Sequence, residues 1–230
     1  MTQVFRRTEK KFVLTQEQYN KLIELIKDNI NKDPYYKSTI CNIYFDTEKN
    51  DLIINSIDKP IYKEKVRLRS YSVPNLNDEV FLEIKKKYKG IVGKRRVKIK
   101  LKDFYNYLEK GIKPNCNKQI MEEIDYCFNH YHLKPSLYLA YDRLSYYDKN
   151  DKNFRITFDK NIRSREDELK LENGDSGNLY FKDNTYIMEA KALDAYPLWF
   201  INALSELKIY SKSFSKYGNI YKKKVSDVYV

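Results

Sequence analysis

The feature that most constrains this chain is an alternation of charge inside strand-like segments. Glu9 with Lys11, Arg67 with Arg69, Glu83 with Lys85 and with Lys87, Tyr141 with Arg143, Arg155 with Thr157, and Glu189 with Lys191 are each separated by one residue. Side chains of a strand point alternately to opposite faces, so each set shares a face. Between them lie Val66, Leu68, Leu82, Ile84, Ile156, Met188 and Ala190, which form the opposite, apolar set. One such strand is an ordinary solvated face of a half-buried sheet. The same pattern in strand after strand admits a second reading, an antiparallel barrel with charged faces inward and apolar faces packed on helices. A lumen of Lys and Arg repels itself unless an anion fills it.

Helices punctuate the strands. Thr15 with Gln18 makes a capping box, and Tyr19, Leu22, Ile23 and Ile26 then recur at helical spacing, so the strand around 5–14 runs straight into a helix. Further strands are predicted over 41–46, 62–71, 80–88, 94–101, 137–147, 153–159 and 185–191. A short helix around Phe104, Tyr107 and Leu108 should stop at Gly111, and another should cover 118–130 with Ile120, Met121, Ile124 and Phe128 inward. Pro197 should open a helix with Leu198, Ile201, Leu204 and Leu207 inward. Residues 167–177 read as a loop, and the stretch from Ser211 as a basic, aromatic tail. Tyr196, Trp199, Phe200, Phe104 and Tyr107 read as packing aromatics. With no Pro/Gly/Ser-rich linker and no repeat, the expected organisation is one α+β domain over 1–230, built on an antiparallel eight-stranded β-barrel tunnel with flanking helices.

Charge points to the ligand class. Lys plus Arg number 44 against 32 Asp plus Glu, a net charge of +12, which suits a polyanion or a lysine-rich solvated surface. Three Cys without metal or disulfide spacing, and no apolar leader, fit a reducing, cytoplasmic setting. No stretch is apolar enough to span a bilayer. His130 and His132 lack further soft ligands for zinc. The Lys85–Lys89 and Lys94–Lys100 runs could meet nucleic acid, but charge spread over many separate strands fits a cavity better than one outer stripe, so nucleic acid is not the expected partner. Arg suits phosphate through its bidentate fork and Lys as a compact charge. Among them, Glu9, Glu83 and Glu189 are candidate oxygen ligands for Mg²⁺ or Mn²⁺, or else neutralise neighbouring cations.

In chain order, Arg-Thr-Glu-Lys-Lys-Phe (7–12), Val-Arg-Leu-Arg-Ser-Tyr (66–71), Phe-Leu-Glu-Ile-Lys (81–85), Tyr-Asp-Arg (141–143), Phe-Arg-Ile-Thr-Phe-Asp (154–159), Glu-Ala-Lys (189–191) and Ser-Lys-Tyr (215–217) resemble the VTC domain. This is the polyphosphate polymerase domain of the vacuolar transporter chaperone complex, within the triphosphate tunnel metalloenzymes. The resemblance implies an enzyme that transfers the γ-phosphate of ATP to a growing polyphosphate chain in a basic tunnel and releases ADP. It implies Lys11, Arg67, Arg69, Lys85, Arg143 and Arg155 as phosphate-gripping catalytic residues. Arg96, Tyr141, Lys191, Ser215 and Lys216 are implied as substrate contacts, with Lys94 beside Arg96. Glu189 is implied as the metal ligand, with Glu9 and Glu83 as further candidates. Eukaryotic members add an inositol-phosphate-sensing domain and a membrane anchor, neither expected here. The related adenylate cyclases and thiamine triphosphatases open with Glu-x-Glu-x-Lys, whereas this chain has Arg7, Glu9 and Lys11, which favours polymerase over hydrolase. A triphosphatase or polyphosphatase on the same fold, or a non-catalytic polyphosphate or nucleic-acid binding module, are the alternatives.

Overall fold

The computed structural model describes residues 8–58 and 60–228. The expectations placed on Phe5 and Arg7 lie outside the described residues. In chain order the elements are β1 (Thr8–Leu14), α1 (Gln16–Ile26), β2 (Ile30–Asp46), α2 (Asp51–Ile57), β3 (Tyr62–Ser70), β4 (Glu79–Tyr88) and β5 (Ile91–Lys100). Then come α3 (Leu101–Lys110), α4 (Lys118–Tyr131), β6 (Lys134–Asp148), β7 (Arg155–Arg165), β8 (Asn178–Leu179), β9 (Tyr186–Ala192), α5 (Leu198–Glu206) and α6 (Lys216–Val228). The fold is α+β, as expected. Its strands follow the hydrogen-bonded order β1-β9-β7-β6-β2-β3-β4-β5, with β8 attached to β7, and the path ends on β1 and β5. The pairings β1–β9, β7–β9, β2–β3, β3–β4 and β4–β5 are antiparallel.

The chain divides into two compact units. Unit 1 comprises Met1–Ser38, Tyr141–Ile162 and Leu179–Ser215; unit 2 comprises Thr39–Ala140, Arg163–Asn178 and Lys216–Val230.

In unit 1 the capping box forms as predicted: the Gln18 backbone N–H donates to Thr15 Oγ1 at 3.1 Å, and the Thr15 N–H donates to Gln18 Oε1 at 3.2 Å. Two of the four orphan N–H groups at the start of α1 are thereby addressed within the turn. Helix α1 buries Leu22 and Ile26 onto Phe12, Phe158 and Met188. Helix α5 turns a different face inward from the one expected. Phe200 and Ala203 are buried, whereas Leu198 and Ile201 are 77% and 44% exposed. The run 198–204 is apolar nearly all round, so periodicity alone does not choose its inner face. The Phe200 ring decides it, packing at 5.1 Å from Phe154 and 6.4 Å from Phe12. Tyr196 and Trp199 are packing residues, as read. The Trp199 indole also donates to Asp148 Oδ2 at 3.0 Å.

In unit 2, β2 to β5 lay one face on α3 and α4 around Phe45, Leu68, Leu82, Val97, Phe104 and Phe128. Gly111, at φ 69°, closes α3 in the left-handed conformation that glycine adopts without steric cost. The 166–177 loop wraps the Arg165 guanidinium, which donates to the carbonyls of Lys170, Gly174 and Ser176 and lies 3.6 Å over the Tyr138 ring. Three features went unread in the sequence. Strand β2 begins at Ile30, eleven residues before the expected start at Cys41, through a polar stretch containing Pro34. Helix α2 has no side-chain cap at Asn50; instead buried Asp46 accepts the N–H groups of Leu52 and Ile53 at 2.8 and 3.0 Å. The basic tail is helix α6, held where the Tyr217 hydroxyl donates to Asp46 Oδ2 at 3.0 Å and its ring lies 4.6 Å from Tyr44.

Candidate functional site

Directly paired residues of an antiparallel sheet point to the same face. In unit 2 the register therefore builds rows across β2, β3, β4 and β5. One is Tyr44–Arg67–Glu83–Arg96; the next is Asn42–Arg69–Phe81–Lys98. On the other side of the first, Lys65, Lys85 and Lys94 stand in line. The intervening row, Ile43–Leu68–Leu82–Val97, points into the core. The alternation read in single strands thus becomes a grid of cations. Its pitch is about 7 Å along each strand and about 5 Å between strands.

Glu83 sits at the centre, 1% exposed. Arg67 Nε donates to Oε2 at 2.7 Å, Arg67 Nη2 lies 2.6 Å from the same oxygen, and Lys94 Nζ lies 2.6 Å from Oε1. Arg96 is more distant at 3.9 Å. Burial alone would raise the Glu83 carboxyl, but the charges of Arg67, Arg69 and Lys94 dominate and pull it down to about 2. Lys94 is pushed down to about 8 by desolvation and by the neighbouring Arg67 and Arg69, against the pull of Glu83. The second row is anchored too: Arg69 Nε donates to Asn42 Oδ1 at 2.8 Å, and Asn42 Nδ2 donates to the Leu139 carbonyl at 2.9 Å. Arg96 lies 4.5 Å over the Phe81 ring, and Lys85 is exposed.

Tyr44 belongs to this face and was not singled out in the sequence. Arg67 Nη1 donates to its hydroxyl at 3.2 Å. Its burial favours the neutral phenol, yet Arg67, Arg69 and Lys65 together bring it down to about 8. The signal available was its spacing with Asn42 and Asp46 in β2; without a charge at either 42 or 44, the strand drew no attention.

Unit 1 carries a second charged face. Its rows are Glu9–Lys191–Arg155 and Lys11–Glu189–Thr157 across β1, β9 and β7. Asp159 follows two residues along β7 on the same face. Glu189 is 8% exposed, with Lys191 Nζ at 3.0 Å; Glu9 has Lys11 and Lys191 each at 3.8 Å. Lys11 Nζ also donates to the Phe214 carbonyl at 3.2 Å. The Glu9 and Glu189 carboxyls are close enough to influence each other. Desolvation and this contact push Glu9 up, while Lys191, Glu9 and Lys11 hold Glu189 well below the usual carboxylate range against its burial. The two acids therefore lie together among cations, where a metal ion could stand.

Arg143 is locked by a fork-to-fork pair, Nε and Nη2 donating to Asp159 Oδ1 and Oδ2 at 2.6 and 2.8 Å, with its guanidinium 5.3 Å from the Tyr141 ring. Asp159 is fully buried and is the residue of the 154–159 motif whose function the sequence left unassigned. Arg155 is exposed, its Nε reaching the Lys152 carbonyl at 3.5 Å. Ser215 is exposed in the last residue of unit 1, and half-buried Lys216 opens α6 in unit 2.

Of the three candidate metal ligands, Glu9 and Glu189 come together within unit 1, and within unit 2 Glu83 lies among cations. Among the described residues, no group of three or more His, Cys, Asp or Glu gathers. A pair of adjacent carboxylates fits a divalent ion whose remaining ligands are phosphate oxygens and water, as Mg²⁺ commonly keeps.

An antiparallel α+β sheet whose polar rows are built from Arg, Lys and a few buried carboxylates defines a polyanion-binding class. The chain belongs to the VTC-domain family, whose model matches residues 6–224. Two solved structures share the fold. A candidate adenylate cyclase of Bacillus halodurans is 14% identical, with a TM-score of 0.55 over 90% of this chain and 92% of that one. Another, of Vibrio parahaemolyticus, is 8% identical, with a TM-score of 0.50 over 95% and 99%. At these identities the likeness is one of fold. Among curated proteins none matches the chain.

Proposed function

We propose that the chain is an ATP-dependent polyphosphate polymerase, transferring the γ-phosphate of ATP to the end of a growing polyphosphate and releasing ADP. The observation that carries this reading is the register-aligned grid of Arg67, Arg69, Lys65, Lys85, Lys94 and Arg96 on one sheet face. A lone phosphate needs one clamp; a repeating anion suits cations repeated along and across strands. Membership of the VTC-domain family supports it.

Phosphoryl transfer requires positioning and charge neutralisation more than covalent help. Within unit 2, Arg67 and Arg69 are fixed donors, held by Glu83 and Asn42, while Lys85 and Arg96 supply more exposed charge. Glu83 is taken up by cations, so its role is to orient Arg67 and Lys94, and metal binding is left to the other two acids. Within unit 1, Arg143 is pre-oriented by Asp159 and Tyr141 to grip phosphate, and Lys11, Arg155 and Lys191 neutralise it. Ser215 and Lys216 add contacts where α6 begins. Glu9 and Glu189 would hold Mg²⁺ or Mn²⁺, which supplies charge neutralisation on phosphate oxygens. The attacking phosphate oxygen is already anionic, so no general base is assigned.

The carboxylate pair also keeps a second reading in play, a triphosphatase with water as acceptor. Purified protein incubated with ATP and Mn²⁺, with and without a short polyphosphate primer, separates them. Long chains with one ADP released per phosphate added, lost in Glu189→Ala, are expected. Free phosphate without chains would make the protein a hydrolase. Bound polyphosphate without turnover would leave a binding module.

A further inference from the structure

Helix α6 is attached to unit 2 by its first turn. Tyr217, Gly218 and Ile220 are buried, while Lys222 to Asp227 are exposed. Tyr217 makes contacts of two kinds. Its hydroxyl turns to buried Asp46, donating to Oδ2 at 3.0 Å, and lies 3.2 Å from Ser136 Oγ, which donates to Asn50 Oδ1 at 3.1 Å. Its ring lies against the charged face, 4.6 Å from the Tyr44 ring at an interplanar angle of 30° and 5.8 Å from Lys65 Nζ.

The ring thereby touches two rows of the grid. Tyr44 is the register partner of Arg67 and accepts from Arg67 Nη1 at 3.2 Å. Lys65 precedes Arg67 by two residues on the same face and stands opposite Lys85. Aromatic pairs favour a small set of geometries, and an ammonium over a ring face is drawn to its negative quadrupole, so one ring restricts both side chains. The hydroxyl has a separate task. Asp46 already accepts the N–H groups of Thr47, Leu52 and Ile53, so α2 starts without it. What the Tyr217 O–H adds is a tie between α6 and that carboxylate. Anchoring α6 needs no ring beside the cations, and a ring there needs no hydroxyl; tyrosine supplies both.

We infer that Tyr217 is a positioning residue for the phosphate face of unit 2: its ring holds Lys65 and Tyr44, and through Tyr44 the Arg67 guanidinium, in the arrangement a polyanion meets, while its hydroxyl fixes the helix that carries the ring. The inference rests on the reading of the grid as a polyphosphate site. With its hydroxyl turned to Asp46, Tyr217 acts through its neighbours.

Calorimetric titration of the full chain with tripolyphosphate, beside Tm by scanning fluorimetry, separates positioning from anchoring. Tyr217→Phe keeps the ring and loses the hydroxyl; Tyr217→Leu loses both. Tm should fall in both. Affinity should fall about tenfold in Tyr217→Leu and stay within about twofold in Tyr217→Phe. Lys65→Gln should lower affinity about fivefold in the wild type but less than about twofold in Tyr217→Leu, where the lysine is no longer held. Should Tyr217→Leu not fold, Tyr44→Leu breaks the same stack from its other ring and should bind about fivefold more weakly than Tyr44→Phe. Equal losses in Tyr217→Phe and Tyr217→Leu, in step with Tm, would overturn the inference and leave Tyr217 an anchor of α6 alone. So would unchanged affinity in Tyr217→Leu, or effects of Lys65→Gln that are the same in both backgrounds. A wild type that does not bind tripolyphosphate would sink the phosphate reading and the inference with it, so the wild-type titration tells the two failures apart.

Discussion

Replacing Glu83 by Gln removes the one negative charge from a buried nest of cations, and the structure gives the size of the effect. The Glu83 carboxyl falls from an ordinary 4.5 to about 2, chiefly because Arg67, Arg69 and Lys94 outweigh its burial. That drop corresponds to about 3 kcal/mol. Arg67 and Lys94 are 21% and 39% exposed at the side chain, so solvent screens part of it and about 2 kcal/mol is the working figure. A depressed carboxylate stabilises the fold above its unfolded value, near 4.5, and the contribution fades as pH falls toward 2. At pH 7 Glu83→Gln should therefore lose about 2 kcal/mol, or roughly 4–8 °C in Tm for a chain of this size. Differential scanning fluorimetry checks it. Tripolyphosphate should restore more Tm to the variant than it adds to the wild type, since the uncompensated cations then find an anion. Mn²⁺ affinity, measured by calorimetry, should be unchanged. An unaltered Tm, no extra rescue by tripolyphosphate, or loss of Mn²⁺ binding would refute the assignment of Glu83 as the anchor of Arg67 and Lys94.

Other consequences follow from the same geometry. Polyphosphate affinity should fall between pH 7 and 9, because Lys94 loses its proton and Tyr44 becomes anionic, both near 8. Bound polyanion raises both values, so the midpoint should move upward with ligand, and the double variant Lys94→Gln, Tyr44→Phe should flatten the profile in a fluorescence titration. Gly177→Ala places a Cβ 2.7 Å from the Ser164 carbonyl oxygen, a backbone atom, and should cost about 1–3 kcal/mol in urea unfolding. In α5, Phe200→Ala should cost about 3–5 kcal/mol, while Leu198→Ser should stay within about 0.5 kcal/mol, by the same measurement.

Much of the site was legible because strand geometry has a period of two. Arg67 with Arg69, Glu9 with Lys11 and Glu189 with Lys191 could be placed on common faces without any knowledge of partners, and the capping box at Thr15 rests on contacts three residues apart. Such features depend on local backbone geometry, which neighbouring residues determine. What escaped was long-range. Asp46 looks like a strand-end carboxylate until α2 and Tyr217 arrive to use it. Tyr44 becomes a low-lying phenol only when β3 brings Arg67 beside it. Asp159 acquires its role from Arg143, sixteen residues earlier in the chain. The inner face of α5 was undetermined because its sequence is apolar on every side, and aromatic packing with Phe154 and Phe12 made the choice. Which carboxylates lie together and which is gripped by an arginine likewise could not be read from Glu9, Glu83 and Glu189 as letters. Register decides it, by setting Glu9 beside Glu189 and Glu83 between Arg67 and Arg96, because the chemistry of a buried charge is set by the charges that folding brings within a few ångströms of it.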